Sequence, residues 1–157
     1  MLSKNPIPAN DFDRTLMSLT HTLIHSARAY KSAADRVAAD FDLSHASAWP
    51  VLMISRLGDG VRPGMVADSL GIEAPSLVRI LDQLVASKLV LRADDPSDRR
   101  AKTLALTAAG RDVAERLEAA LAPFRRELFQ DLPQADVEAC LRVLVRLDQR
   151  LAGQGDN

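Results

Sequence analysis

The sequence predicts a mainly α fold with a small β-hairpin wing, a winged helix-turn-helix flanked by N- and C-terminal dimerisation helices. Three observations point there. From Met65 to Ile80 the chain reads as two short helices joined by a glycine turn. Val66, Leu70, Ile72, Leu77 and Ile80 stand at the spacing of a small core, Ala67 is small where the helices cross, and Gly71 can take the positive φ of the turn. Asp98-Arg99-Arg100 lies between two short alternating apolar segments, as a charged hairpin tip does. Leu106-Thr107-Ala108-Ala109-Gly110 then opens a new helix.

The elements follow in order. Phe12, Leu16, Leu19, Leu23, Ala27, Tyr30, Ala34, Val37 and Phe41 recur at spacings of three and four, which predicts one helix of about eight turns. A second helix is expected from Ser44, as its hydroxyl cap, to Leu57, before the Gly58-Asp59-Gly60 break, with Pro50 kinking or restarting it. Pro63 suits the first turn of a third helix ending at Leu70. The fourth is expected from near Pro75 to about Ser87.

Helix four has two faces. Leu77, Ile80, Leu81, Leu84 and Val85 share one side, and Pro75, Ser76, Arg79, Asp82, Gln83 and Ala86 the other. The polar side is a candidate for the major groove: Arg79 can bond guanine bidentately or clamp a phosphate, Ser76 can donate to a phosphate, and Gln83 can reach an adenine or the backbone. An ordinary solvated face is the competing reading.

Leu89 to Arg92 and Lys102 to Leu106 are expected to pair, with Leu89 and Leu91, then Leu104 and Leu106, turned inward. At the tip, a guanidinium of the Arg99-Arg100 pair can enter an A·T-rich minor groove, with Asp98 holding Arg100 in place. Thr107 is expected to cap helix five, which carries Val113, Leu117, Leu121, Phe124 and Leu128 and should bend at Pro123. Pro133 opens helix six, with Val137, Leu141, Leu144 and Leu151 on its apolar side and Cys140 expected to be buried among them. The end helices offer more apolar surface than one small winged unit needs, and a homodimer is its natural use.

Composition fits a single domain over 1–157: at 157 residues, with 47% hydrophobic and 26% charged residues, the chain is long enough for a sizeable core. Within it, 11–42 and 107–152 are the expected dimerisation helices and 44–106 the winged DNA-binding region. The net charge of −1 does not announce nucleic acid, but Arg56 to Arg111 holds nine Lys or Arg against seven Asp or Glu, which is +2 and leaves −3 elsewhere. One cysteine cannot form an internal disulfide, and the chain starts without the apolar run of a signal peptide, so a cytoplasmic location is expected. The longest stretch free of Asp, Glu, Lys and Arg, Leu43 to Ser55, is too short for a bilayer, and no membrane partner is expected. No Ser/His/Asp order, phosphate-binding glycine loop or paired-carboxylate motif stands at a catalytic spacing, so no enzyme activity and no cofactor are expected. His21 and His25, one turn apart, could hold a metal together with His45 or an acid brought near by folding. They lie opposite the apolar stripe beside Arg14 and Arg28, however, and read as a solvated face, with a zinc-responsive regulator as the alternative.

The run Asp98-x-Arg100-x5-Leu106-Thr107-x2-Gly110 resembles the signature of the MarR family of winged-helix transcription regulators, and Gly71 to Leu84 with Ser97 to Lys102 look most like its SlyA branch. Helix order is consistent with the family from about Asp11 to Leu151. The resemblance implies a homodimer on palindromic double-stranded DNA, usually a repressor released by small aromatic or phenolic anions. Arg79 carries over as the recognition-helix contact, and Arg100, supported by Asp98, as the minor-groove contact. The family also implies a ligand cleft bordered by helix one, the Trp49-Pro50 segment and helix five; Trp49, Arg14 and Arg28 are its candidate residues, with a place in the core as the competing reading of Trp49. Two positions depart from the pattern: Lys88 stands where the family usually has glycine after helix four, and Ala48, followed by Trp49-Pro50, stands where helix two usually has an aromatic. A winged-helix protein-interaction module without DNA binding is the competing function.

Overall fold

The computed structural model describes residues 10–39 and 45–153. Within them are six helices and one hairpin: α1 (Asp11–Ala38), α2 (His45–Leu57), α3 (Pro63–Leu70), α4 (Ala74–Ala86), β1 (Val90–Asp95), β2 (Asp98–Leu106), α5 (Ala108–Phe129) and α6 (Gln134–Ala152). The fold is mainly α with a small β wing, as the sequence predicts. Ser44, the expected cap of the second helix, and Phe41 lie outside the described residues.

The chain divides into two compact units, one reaching to Leu121 and the other beginning at Ala122. The first contains the winged helix-turn-helix. Val51 and Ile54 of α2, Val66 and Ala67 of α3, Leu77, Leu81 and Leu84 of α4, Val90 of β1, Leu104 and Leu106 of β2 and Ala114 of α5 fill one core. Val61 joins it by a single bridge to Leu104, whose N–H donates to the Val61 carbonyl at 2.8 Å, so the loop before α3 lies along β2 as a one-residue third strand. Pro50 neither splits nor restarts α2; it is buried within one continuous helix, where its missing N–H removes a single bond near the helix start. α1 begins in a reciprocal capping box between Asn10 and Asp13, and only Ala34 and Ala38 are buried along it; Phe12 is 66% exposed.

The expected alternation of the first strand is corrected. Val90 points into the core opposite Leu106, while Leu91 is 56% exposed and Leu89 precedes the strand, half-buried. The cause is the end of α4. Lys88 has φ 58, the Lys88 N–H donates to the Val85 carbonyl at 3.0 Å, and the Leu89 N–H to the Leu84 carbonyl at 2.9 Å. This is a Schellman ending, in which Leu89 is spent covering the helix terminus. The strand register therefore starts one residue later, and a one-residue slip exchanges the faces.

The second unit holds the remainder of α5, unbroken through Pro123, and α6. No residue of α6 is buried. Cys140, expected to be buried, is exposed, because the apolar side of α6 is left uncovered along this chain. Phe129, Leu132, Val137, Cys140, Leu141 and Leu144 line an open apolar hollow of about 350 Å³ there.

Candidate nucleic-acid interface

The glycine turn sets α4 on α3. Gly71 sits at φ 62 with its N–H donating to the Asp68 carbonyl and that of Ile72 to the Ala67 carbonyl, both at 3.1 Å. A side chain at such a φ is strained, which is why glycine suits the turn. Leu77, Leu81 and Leu84 then anchor one side of α4 in the core. Pro75, Ser76, Arg79 and Gln83 are all exposed on the other side, and Arg79 has no hydrogen-bond or ion-pair partner among the described residues. Val85, assigned by its spacing to the inward side, is at the margin and partly exposed.

Asp82, the acid on the same exposed side, is neutralised from the wing. Arg92 of β1 donates to Asp82 Oδ1 at 2.6 Å and to the Val78 carbonyl at 3.4 Å. The pairing occupies a carboxylate that would otherwise compete for Arg79, and it fastens β1 to α4. Sequence reasoning missed Arg92, whose place opposite Leu104 follows only from the true register.

The hairpin is regular from Val90↔Leu106 to Asp94↔Lys102 and then jumps to Asp95↔Asp98. Arg100 projects from this irregular stretch with its side chain 94% exposed. Its backbone N–H donates to Asp98 Oδ1 at 3.0 Å, and its guanidinium Nε stands 3.6 Å from the same oxygen. Asp98 therefore fixes the backbone of Arg100 by a hydrogen bond and its side chain by charge alone. Arg99 belongs to β2, and its side chain lies outside the described residues.

Asp95 at the base of the tip is only 8% exposed. Ser97 donates to Asp95 Oδ1 from its hydroxyl at 2.6 Å and from its N–H at 2.8 Å, and Arg62 donates to Oδ2 from Nε at 2.8 Å. Together, Ser97 first and then Arg62, they lower the carboxyl from 3.8 to about 2. The Asp-Pro-Ser run is a readable turn signal. Its long-range partner Arg62, 33 residues earlier, is not.

Behind the wing, Thr107 caps α5 as expected: its hydroxyl accepts from the Gly110 N–H at 2.9 Å and donates to the Lys88 carbonyl at 2.7 Å. A Cβ on Gly110 would stand 2.1 Å from the Leu89 carbonyl oxygen, so the close approach of α5 to the end of α4 requires glycine. Asp59 adds a further tie, accepting from the Leu106 N–H at 3.2 Å.

The candidate ligand residues do not come together. Trp49 is half-buried, its indole N–H donating to Asp35, with Lys31 Nζ 5.7 Å from its ring centroid. It lines a hollow of about 180 Å³ with Tyr30, Lys31, Met53, Ser69 and Leu70. Arg14, paired with Asp11, and Arg28 stand exposed elsewhere on α1. His21 and His25 are exposed as well, and the side chain of His45 lies outside the described residues. Among the described residues no three His, Cys, Asp or Glu side chains gather as a metal site would need, and no helix is long and apolar enough to cross a membrane.

Residues 41–101 match the model of the MarR family. The transcriptional regulator PA3341 is 30% identical in sequence, over 86% of this chain and 98% of its own, with a TM-score of 0.78. The transcriptional repressor CouR bound to a 23-mer DNA duplex is 27% identical, over 83% of this chain and 92% of its own, with a TM-score of 0.68. CouR from Rhodococcus jostii RHA1 bound to p-coumaroyl-CoA is 25% identical, over 80% of this chain and 88% of its own, at 0.69. The transcriptional regulator SlyA shares the fold at a TM-score of 0.73, with 15% identity over 87% of this chain and 95% of its own. A glycine-turned helix pair, a hairpin with an arginine at its tip and relatives matched over nearly their full length lead to one conclusion: the chain belongs to the MarR family of winged-helix transcriptional regulators.

Proposed function

We propose that this chain is a cytoplasmic repressor that binds palindromic double-stranded DNA as a homodimer and is released by a small aromatic anion. The observation that carries the reading is the pair of uncovered cations: Arg79 on the exposed side of α4, with no protein partner among the described residues, and Arg100 almost wholly exposed at the wing tip. In this reading 44–106 is the DNA-binding region, 11–42 and 107–152 carry the dimer helices, and Pro75, Ser76, Arg79, Gln83, Asp98, Arg99 and Arg100 meet DNA. That a relative, CouR, is known on a DNA duplex supports it. The SlyA-like reading rests on the Gly71 to Leu84 and Ser97 to Lys102 runs alone.

Titrating the chain on the DNA upstream of its own gene tests this. Half-sites about 10 base pairs apart with A·T-rich flanks are expected. Arg79→Ala should cost about 1–3 kcal/mol and relax preference in the half-site core. Arg100→Ala should lose flank preference and give a shallower salt dependence. Specific binding to a protein partner with no DNA shift would replace the reading with that of a protein-interaction module.

For the ligand, the hollow beside Trp49 supplies an aromatic wall and the Lys31 ammonium, paired at 3.3 Å with Asp35, a carboxylate that an aromatic carboxylate would displace. Salicylate should quench Trp49 and lower DNA affinity, and linkage then requires DNA to weaken salicylate binding by the same factor. Equal salicylate affinity with and without operator, measured by calorimetry, would rule out this mode of release.

A further inference from the structure

Between Asp94↔Lys102 and Asp95↔Asp98, β1 advances by one residue while β2 spans four, so Arg99, Arg100 and Ala101 have no opposite residue. Such a bulge re-aims side chains away from the ladder, and its direction depends on what fixes its base. Here the base is the Asp95↔Asp98 pair, and Asp95 is held on both oxygens. Ser97 occupies Oδ1, and Arg62 grips Oδ2 with Nε at 2.8 Å and Nη2 at 2.7 Å. Arg62 is also the N-cap residue of α3: its carbonyl accepts from the N–H groups of Met65 at 3.0 Å and Val66 at 3.4 Å. One residue thus opens the helix-turn-helix and grips the wing tip.

We propose that Arg62 and Asp95 are positioning residues for DNA binding. Arg62, though basic and next to the helix-turn-helix, acts through Asp95 to hold the bulge that aims Arg100, not as a phosphate contact. Two of its donors converge on one nearly buried carboxylate oxygen, so that Nε and Nη2 are committed to Asp95 although the Arg62 side chain is 51% exposed. Without that grip the bulge could pivot about its turn, and Arg100 would pay the entropy of finding the groove on each encounter. This inference rests on the DNA-binding reading above.

The test measures affinity by fluorescence anisotropy on three duplexes: an operator with A·T flanks, the same core with G·C flanks, and a scrambled core with A·T flanks. Wild type, Arg100→Ala, Arg62→Gln, Asp95→Asn, Ser97→Ala and the Arg62→Gln/Arg100→Ala and Asp95→Asn/Arg100→Ala double variants are compared. Arg62→Gln and Asp95→Asn should reduce the A·T-over-G·C flank preference to within about twofold of Arg100→Ala, with core discrimination intact. In the Arg100→Ala background, Asp95→Asn should change affinity by less than about twofold. Ser97→Ala, which removes only the hydroxyl donor, should shift flank preference the same way by less and guards against a variant that fails to fold. An Arg62→Gln loss equal on both flanks and undiminished by Arg100→Ala would make Arg62 a phosphate contact and overturn the proposal. Retained flank preference in Asp95→Asn or Ser97→Ala would also overturn it while leaving the DNA-binding reading standing. Absence of wild-type binding to any duplex would remove that reading and this inference together.

Discussion

The winged helix-turn-helix and the unit that holds α6 are written with the same amphipathic grammar, yet only the winged core closes on itself. In α4, Leu77, Leu81 and Leu84 recur at helical spacing and each is buried. In α6, Val137, Leu141 and Leu144 recur at the same spacing, yet no residue of that helix is buried. The first two-thirds of α1 resemble α6, with Phe12, Leu16, Met17 and Leu19 all exposed. Periodicity says that a face is meant to be covered; it does not say by what. Isolated amphipathic helices are marginal without a packed partner, so such faces call for a cover. In the reading proposed above, a second copy would provide it.

Truncations measure the difference most strongly. Leu81→Ala, at a side chain 0% exposed, should cost about 2–5 kcal/mol of folding stability at any protein concentration. Leu141→Ala, at a side chain 60% exposed, should instead raise the dissociation constant of the dimer by about tenfold, since each truncation is counted twice across a two-fold interface. Denaturant titration at several concentrations and sedimentation would separate the two. A concentration-independent loss at Leu141 equal to that at Leu81 would mean that both units close on their own.

The parts of the fold visible in the sequence are those governed by local rules. The Gly71 turn, the Thr107 cap and the apolar side of α4 each depend on residues within a few positions of one another, and the structure has them in place. The parts that were not legible depend on distant partners or on a competition between rules. Leu91 looks like a core residue by alternation, but a lysine-ended Schellman motif consumes Leu89 and shifts the register. Arg62 looks like a free cation until Asp95 is brought beside it. Arg92 looks like one more wing charge until it reaches Asp82 on α4. The exposure of Cys140 was hidden for a related reason, since an apolar neighbourhood along a helix does not ensure that anything covers it.

Cys140 offers a smaller and more local measure of the same contrast. Its thiol is exposed and lines the apolar hollow with Leu141 and Leu144. Alkylation by iodoacetamide should be fast in dilute protein and should slow in proportion to the associated fraction as concentration rises, because a thiol must be reachable to react. Cys140→Ser provides the blank. A rate indifferent to concentration would show that this part of α6 stays open in the assembled state and would confine the contact to other residues.

The smallest expected effect lies inside the closed unit. α3 and α4 end in the same pair of hydrogen bonds, one helix with Gly71 at φ 62 and the other with Lys88 at φ 58. A lysine there carries the left-handed penalty that glycine avoids, and it is held because the Lys88 and Leu89 carbonyls are both gripped by Thr107 while Leu89 and Val90 pack beneath. Lys88→Gly should therefore stabilise the fold by about 1 kcal/mol, raising the melting temperature by about 2–4 °C. Gly71→Ala should lower it by a similar amount. Both shifts should be independent of protein concentration, unlike that of Leu141→Ala, since neither position touches the open faces. If Lys88→Gly destabilised the protein instead, the lysine side chain would have to contribute more than its backbone strain costs, and the ending of α4 would owe its shape to that side chain and not to the Thr107 clamp.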